Sequence, residues 1–126
     1  MVVCGADGMD EISFTGDTYV AELKNGQVKE YVLNPQQFGL GLHALASIQV
    51  ADAQASKAMI LDVLAAKSGP ARDIVLLNAG AAIYVAGLTD TLQQGINKAA
   101  ESIDSGQAKR KLDQLIAMTN AVAATA

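Results

Sequence analysis

Near the start of the chain, in Cys4-Gly5-Ala6-Asp7-Gly8-Met9-Asp10-Glu11-Ile12-Ser13, three carboxylates crowd beside two glycines. Glycine permits positive φ and lets a phosphate or metal-bound water approach the main chain, so Gly5 and Gly8 shape a pocket rather than fill one. The acids supply its charge. Magnesium suits such a set, because it takes hard oxygen ligands, keeps several waters and is usually held by one or two carboxylates together with substrate phosphates. Asp10 and Glu11 are the pair that fits. Neighbours in a regular strand point to opposite faces, so both can serve one polyphosphate only if the backbone is irregular there or each holds its own ion. The same spacing also allows a solvated turn in which Asp7 and Asp10 bond local amides.

Other chemistry is sparse. His43 is the single histidine, with no nucleophile or orienting carboxylate at a suggestive spacing, so it reads as a surface or packing residue rather than a general base. There is no Cys-His metal spacing, no Gly-x-Ser-x-Gly elbow and no Walker or Rossmann glycine loop. Net charge is −4, and Lys109-Arg110-Lys111 is the only basic run, read as the solvated side of a helix. Three tyrosines and two phenylalanines provide no interleaved stacking platform, which argues against nucleic-acid binding.

The elements that must position the acidic stretch follow from pattern. The 126 residues suit one domain. Val2 and Val3 lead in as a short buried strand, and Ile12 continues an extended path beyond the turn. Tyr19 to Lys24 and Val28 to Leu33 alternate around Asn25-Gly26, the signal of a type I′ hairpin. Asn34-Pro35 closes the second of these strands. Four helices are expected next. The first is capped by Asp52 and presents Ala55, Met59, Ile60, Val63 and Leu64 on one face; Ser68-Gly69-Pro70 separates it from the second. The second, from Ala71 to about Val85, is apolar on nearly all sides and should be covered all round. Its exception, Asn78, reads as a structural amide bonded to neighbouring backbone, since a buried amide without partners costs about 1 to 3 kcal/mol. The third opens at Thr89-Asp90 and carries Leu92, Ile96, Ala99 and Ile103 to Ser105-Gly106. The fourth carries Leu112, Leu115, Ile116 and Thr119, with fraying expected beyond Asn120.

Charged residues make up 17%, below the usual share of about 25%, so apolar surface is expected to lie uncovered. The longest apolar run, Ile74 to Leu88, is too interrupted for a membrane span. The single Cys4 excludes an internal disulfide, and the N-terminus has no secretory pattern, which together suit a cytoplasmic location.

In order along the chain, the opening Val-Val-Cys-Gly-Ala-Asp-Gly-Met-Asp-Glu-Ile-Ser, the Asn-Gly hairpin, Asn-Pro-Gln-Gln-Phe-Gly-Leu at 34 to 40, Gly-Pro-Ala-Arg-Asp-Ile-Val-Leu-Leu-Asn-Ala-Gly-Ala-Ala-Ile-Tyr-Val-Ala-Gly-Leu at 69 to 88 and Ser-Ile-Asp-Ser-Gly at 102 to 106 closely resemble anthranilate phosphoribosyltransferase. The resemblance covers almost the whole chain and only the C-terminal part of that family's enzymes. It implies an α/β fold of the phosphoribosyltransferase and nucleoside phosphorylase type, with residues 1-50 as strand, hairpin and loop and 51-121 as helices. The implied reaction joins phosphoribosyl diphosphate to anthranilate, releasing pyrophosphate, in tryptophan biosynthesis. The family's Asp-Glu motif, which holds Mg2+ on the diphosphate, falls on Asp10 and Glu11. Cys4 departs from a frequent histidine, and residues 50-56 depart from the usual Gly-Gly pair. The family's glycine-rich diphosphate loop, Lys-His-Gly-Asn segment and anthranilate-binding arginine have no counterpart here. No catalytic or substrate-binding residue is therefore assigned. The chain alone is expected to be inactive, and to self-associate or depend on a complementary N-terminal piece. A non-catalytic binding or scaffold module of the same fold is the alternative.

Overall fold

The computed structural model describes residues 1–123. Three antiparallel strands, β1 (Val2–Gly5), β2 (Thr18–Lys24) and β3 (Gln27–Leu33), form a sheet in sequence order. Asn25 (φ 53°) and Gly26 (φ 76°) both take positive φ, as the type I′ turn between β2 and β3 requires. That turn sets the register Leu23↔Val28 and Tyr19↔Val32, while β1 pairs Val3 with Val20. Two short 3-10 turns, Pro35–Phe38 and Leu45–Ile48, lead from the sheet to the helices.

The helices are α1 (Ala53–Leu64), α2 (Pro70–Val85), α3 (Leu92–Asp104) and α4 (Gln107–Ala123). Asp52 caps α1 by accepting from the Ala55 amide at 2.8 Å, and Pro70 begins α2. The cap of α3 is Thr91 rather than the Thr89-Asp90 pair, because Thr91 completes a reciprocal capping box with Gln94. Helix α4 runs past Asn120 to Ala123, into the segment where fraying is expected. That expectation also covers residues 124–126, which lie outside the described residues.

The core joins Ile12, Phe14, Val20 and Leu33 from the strand half to Ile74, Leu76, Leu77, Ala81, Ile96, Ala99 and Ile103 from the helices. Phe14 and Leu77 are fully buried, each contributing roughly 1.5 to 3 kcal/mol of apolar transfer. Helices α2 and α3 meet at two glycines. A Cβ on Gly95 would stand 2.3 Å from the Gly80 carbonyl oxygen, so only glycine permits this approach. Arg72 reinforces the pair by an ion pair to Asp104 at 2.8 Å.

Two expectations fail for one reason: periodicity fixes conformation, not neighbours. β1 is an edge strand and Val2 is 72% exposed, so it is not buried. α2 is not covered all round either, since Val75 and Val85 are exposed. Beyond the turn Ile12 carries no ladder pairing, and residues 6–17 join β1 to β2 through turns, bends and irregular backbone. Among the described residues no helix is long and apolar enough to cross a membrane.

Candidate metal and phosphate site

The loop between β1 and β2 is built from its own hydrogen bonds. Gly5 donates to Met9 O at 2.8 Å, Gly8 donates to Gly5 O at 2.9 Å, and Ala6 donates to Asp17 O at 2.8 Å. Gly8 takes φ 88°, which its missing Cβ allows. Asp7 sits at the centre. Its Oδ2 accepts from the Thr15 hydroxyl at 2.7 Å and the Ser13 hydroxyl at 2.8 Å, and its Oδ1 accepts from the Met9 amide at 3.0 Å. Those donors, the Thr15 hydroxyl first, hold the Asp7 carboxyl below the ordinary aspartate range. Asp7 is thus committed to shaping the loop.

Asp10 and Glu11 are different. Both are exposed and lie in bends rather than a strand, so the opposite-face constraint of a regular strand does not apply. Partial desolvation, followed by the charge of Asp10, raises the Glu11 carboxyl above the ordinary glutamate range. A divalent cation would relieve that repulsion. Two adjacent hard oxygen donors fit magnesium that keeps its waters and shares phosphate oxygens. Among the described residues no group of three or more His, Cys, Asp or Glu is placed to hold a metal, so a closed all-protein cage is not on offer.

The pair is anchored from behind. Asn78, on α2, accepts from the Ile12 amide at 2.8 Å and donates to the Ile12 carbonyl at 2.9 Å and the Ile74 carbonyl at 3.1 Å. The expected structural amide is therefore bonded to backbone, and the backbone it holds directly follows the Asp-Glu pair. Next in the loop, Ser13 N–H donates to the buried Thr18 hydroxyl at 2.9 Å. A cavity of about 210 Å³ lined by Val3, Ile12, Asn78 and Ala81 adjoins this junction.

Two further clusters went unseen in the sequence. His43 does have a carboxylate partner, Asp73, at 2.8 Å, and its ring lies 6.0 Å from Phe14. No hydroxyl or thiol accompanies them in those bonds, so the pair fastens the 34–44 segment to the start of α2. Glu22 accepts from Tyr84 at 2.6 Å and Tyr31 at 2.7 Å, while Lys24 donates to Tyr84 at 2.8 Å. The Tyr84 hydroxyl, then that of Tyr31, draws Glu22 below its ordinary range despite partial desolvation, and desolvation with the Glu22 contact raises Tyr31. This network fastens the hairpin to the end of α2. The His43–Asp73 and Glu22–Tyr84 partners stand 30 and 62 residues apart, beyond the reach of local spacing.

Residues 1–109 match the family model described as "Glycosyl transferase family, a/b domain". The anthranilate phosphoribosyltransferase of Methylobacillus flagellatus is 63% identical over 121 residues, which cover 96% of this chain and 36% of that protein. That of Laribacter hongkongensis is 56% identical over 124 residues, covering 98% and 36%. Among solved structures, the Thermus thermophilus enzyme of the same name superposes with a TM-score of 0.81 at 33% identity, covering 91% of this chain and 34% of that one. The Saccharomyces cerevisiae enzyme in complex with PRPP and Mg gives 0.75 at 30%, covering 88% and 32%. The chain spans about a third of the length of these relatives. The expected α/β phosphoribosyltransferase-type fold is the one it shares with them. With the matched region reaching from Met1 through α3 and into the start of α4, the whole of the acidic loop included, the chain belongs to the glycosyl transferase family, a/b domain.

Proposed function

We propose that this chain serves anthranilate phosphoribosyl transfer, the reaction of tryptophan biosynthesis that joins phosphoribosyl diphosphate to anthranilate, and that it corresponds to the C-terminal portion of the enzyme's α/β domain. Asp10 and Glu11 hold Mg2+ there on the diphosphate. One observation carries the reading: an exposed carboxylate pair on a closed loop, in a chain 63% identical to a transferase of that name. The ion, when bound, offsets negative charge on the departing diphosphate. The chain's own residues do the rest: Asp10 and Glu11 supply the charge, Asp7 closes the loop behind them, and Gly8 keeps the approach clear of side chains. The enzyme works in the cytoplasm.

Positioning both substrates is worth many kcal/mol in such a displacement, and these residues include neither the family's glycine-rich diphosphate loop nor its arginine for anthranilate. The 126 residues alone therefore do not turn over, and they self-associate or pair with a complementary piece through uncovered apolar surface. Titrating magnesium with phosphoribosyl diphosphate against wild type and the Asp10→Ala, Glu11→Ala double variant tests the site. Binding lost in the double variant is expected; equal binding in both rejects it. Measurable phosphoribosyl-anthranilate formation by the chain alone would reject the statement on turnover.

A further inference from the structure

We propose that Asn78 positions the Asp10–Glu11 pair for metal-phosphate binding, an inference that rests on the metal reading of that pair. The residues on either side of the pair are both pinned. On one side, the Met9 amide donates to Asp7 Oδ1 at 3.0 Å and the Met9 carbonyl accepts from the Gly5 amide at 2.8 Å. On the other, Ile12, only 2% exposed, bonds through its amide and its carbonyl to the two ends of one side-chain amide, that of Asn78. Asp10 and Glu11 are the two residues spanning the interval between these anchors.

The chemistry of the second anchor is demanding. The peptide unit joining Glu11 to Ile12 carries the N–H that Asn78 receives, so the orientation of that unit follows the helix. Holding an N–H and a C=O of one residue together needs a donor and an acceptor on one planar head, which the side-chain amides of asparagine and glutamine provide. Asn78 also donates to Ile74 O, one turn back on α2, which fixes its own rotamer. α2 is in turn seated on α3 through the Gly80–Gly95 approach. The backbone that carries the acidic pair is thereby ordered on folding, and a ligand has only the two side chains left to fix.

The test uses the 126-residue chain with Mn2+ and inorganic diphosphate as probe, free Mn2+ being read by electron paramagnetic resonance. Four variants are compared at a temperature where circular dichroism reports each as folded: Asn78→Ala, Asn78→Gln, Ile103→Ala and the Asp10→Ala, Glu11→Ala double. Asn78→Ala, which removes both bonds to Ile12, weakens affinity about tenfold, and Asn78→Gln, longer by one methylene, about threefold. Ile103→Ala destabilises the core from α3, far in the chain from the loop, and leaves affinity within about twofold. In Asn78→Ala the Ile12 amide also exchanges with solvent faster than in Ile103→Ala. Should Asn78→Ala not fold, the glutamine variant decides. Binding abolished in the double variant but unchanged in the Asn78 variants, or weakened equally by Ile103→Ala, overturns the positioning role alone. Binding equal in wild type and the double variant overturns the metal reading and the positioning role together.

Discussion

The loop of residues 6–17 and the outer face of the sheet adjoin in the chain, yet they satisfy opposite requirements. In the loop, Asp7, Ser13 and Thr15 bond one another or the backbone, Ser13 also bonds Thr18 at the start of β2, and Ile12 and Phe14 enter the core beneath them. On the sheet face turned away from α2, Val2, Tyr19, Leu23, Val28 and Val32 stand in solvent with apolar neighbours only across the strands. The loop is complete within these residues; the face is not. A loop can therefore be fully hydrogen-bonded in a chain whose scaffold still exposes a large apolar area. The two depend on different partners: the loop on α2, the outer face on whatever covers it.

Two aromatics five residues apart give the largest contrast. Phe14 is fully buried and Tyr19 is 59% exposed. Urea unfolding is expected to place Phe14→Ala about 4 kcal/mol below wild type, because truncation leaves a cavity that the loop and α2 cannot close. Tyr19→Ala should stay within about 0.5 kcal/mol, as for surface positions generally. Equal losses would erase the distinction between the two regions.

A smaller effect sharpens it. Asp7→Ala removes the acceptor for two hydroxyls and one amide, and with solvent able to replace part of those bonds the loss is about 1 kcal/mol. Its pH dependence has a definite sign. The folded carboxyl of Asp7 is depressed by Thr15, Ser13 and Met9, so its stabilisation is fully present above the ordinary aspartate range and is lost as pH falls through the lowered folded value. Thermal melts across the acid range should show a drop in midpoint that is shallower in Asp7→Asn. An unchanged slope would mean that the loop does not depend on this charge.

Local chemistry in the sequence revealed one part of this molecule and hid another. Asn25-Gly26, Asp52 and Pro70 act within a few residues of themselves, and each stands where its turn, cap or helix start requires. The acidic stretch is recognisable as a cluster, but not the division of labour inside it: all three carboxylates are exposed, and Asp7 is the one whose oxygens are engaged by Ser13, Thr15 and the Met9 amide. Asn78 stood out as the polar exception in an apolar helix, while its partner Ile12 lies 66 residues away. Exposure was least readable of all. Alternation in β2 identifies two faces, Thr18 and Val20 on one and Tyr19 and Leu23 on the other, and both carry apolar residues. Which of them is buried depends on α2, whose Tyr84 reaches Glu22 on the Val20 side.

The smallest expected change in stability tests the uncovered face most directly. Leu23 lies opposite Val28 on that face and is mostly exposed, so Leu23→Lys removes no buried contact and should alter unfolding free energy by less than about 0.5 kcal/mol. Its effect belongs to association. A lysine amino group in the middle of an apolar contact must be stripped of water, a cost that Glu30, its diagonal neighbour on the same face, offsets only in part. Sedimentation velocity over a concentration series should therefore show wild type shifting to larger species while Leu23→Lys remains at the monomer value. If both stay monomeric at high concentration, the sheet face is stable in water as it stands. If both associate alike, the contact lies elsewhere, and the exposed Leu115, Met118 and Val122 along α4 become the surface that mediates it.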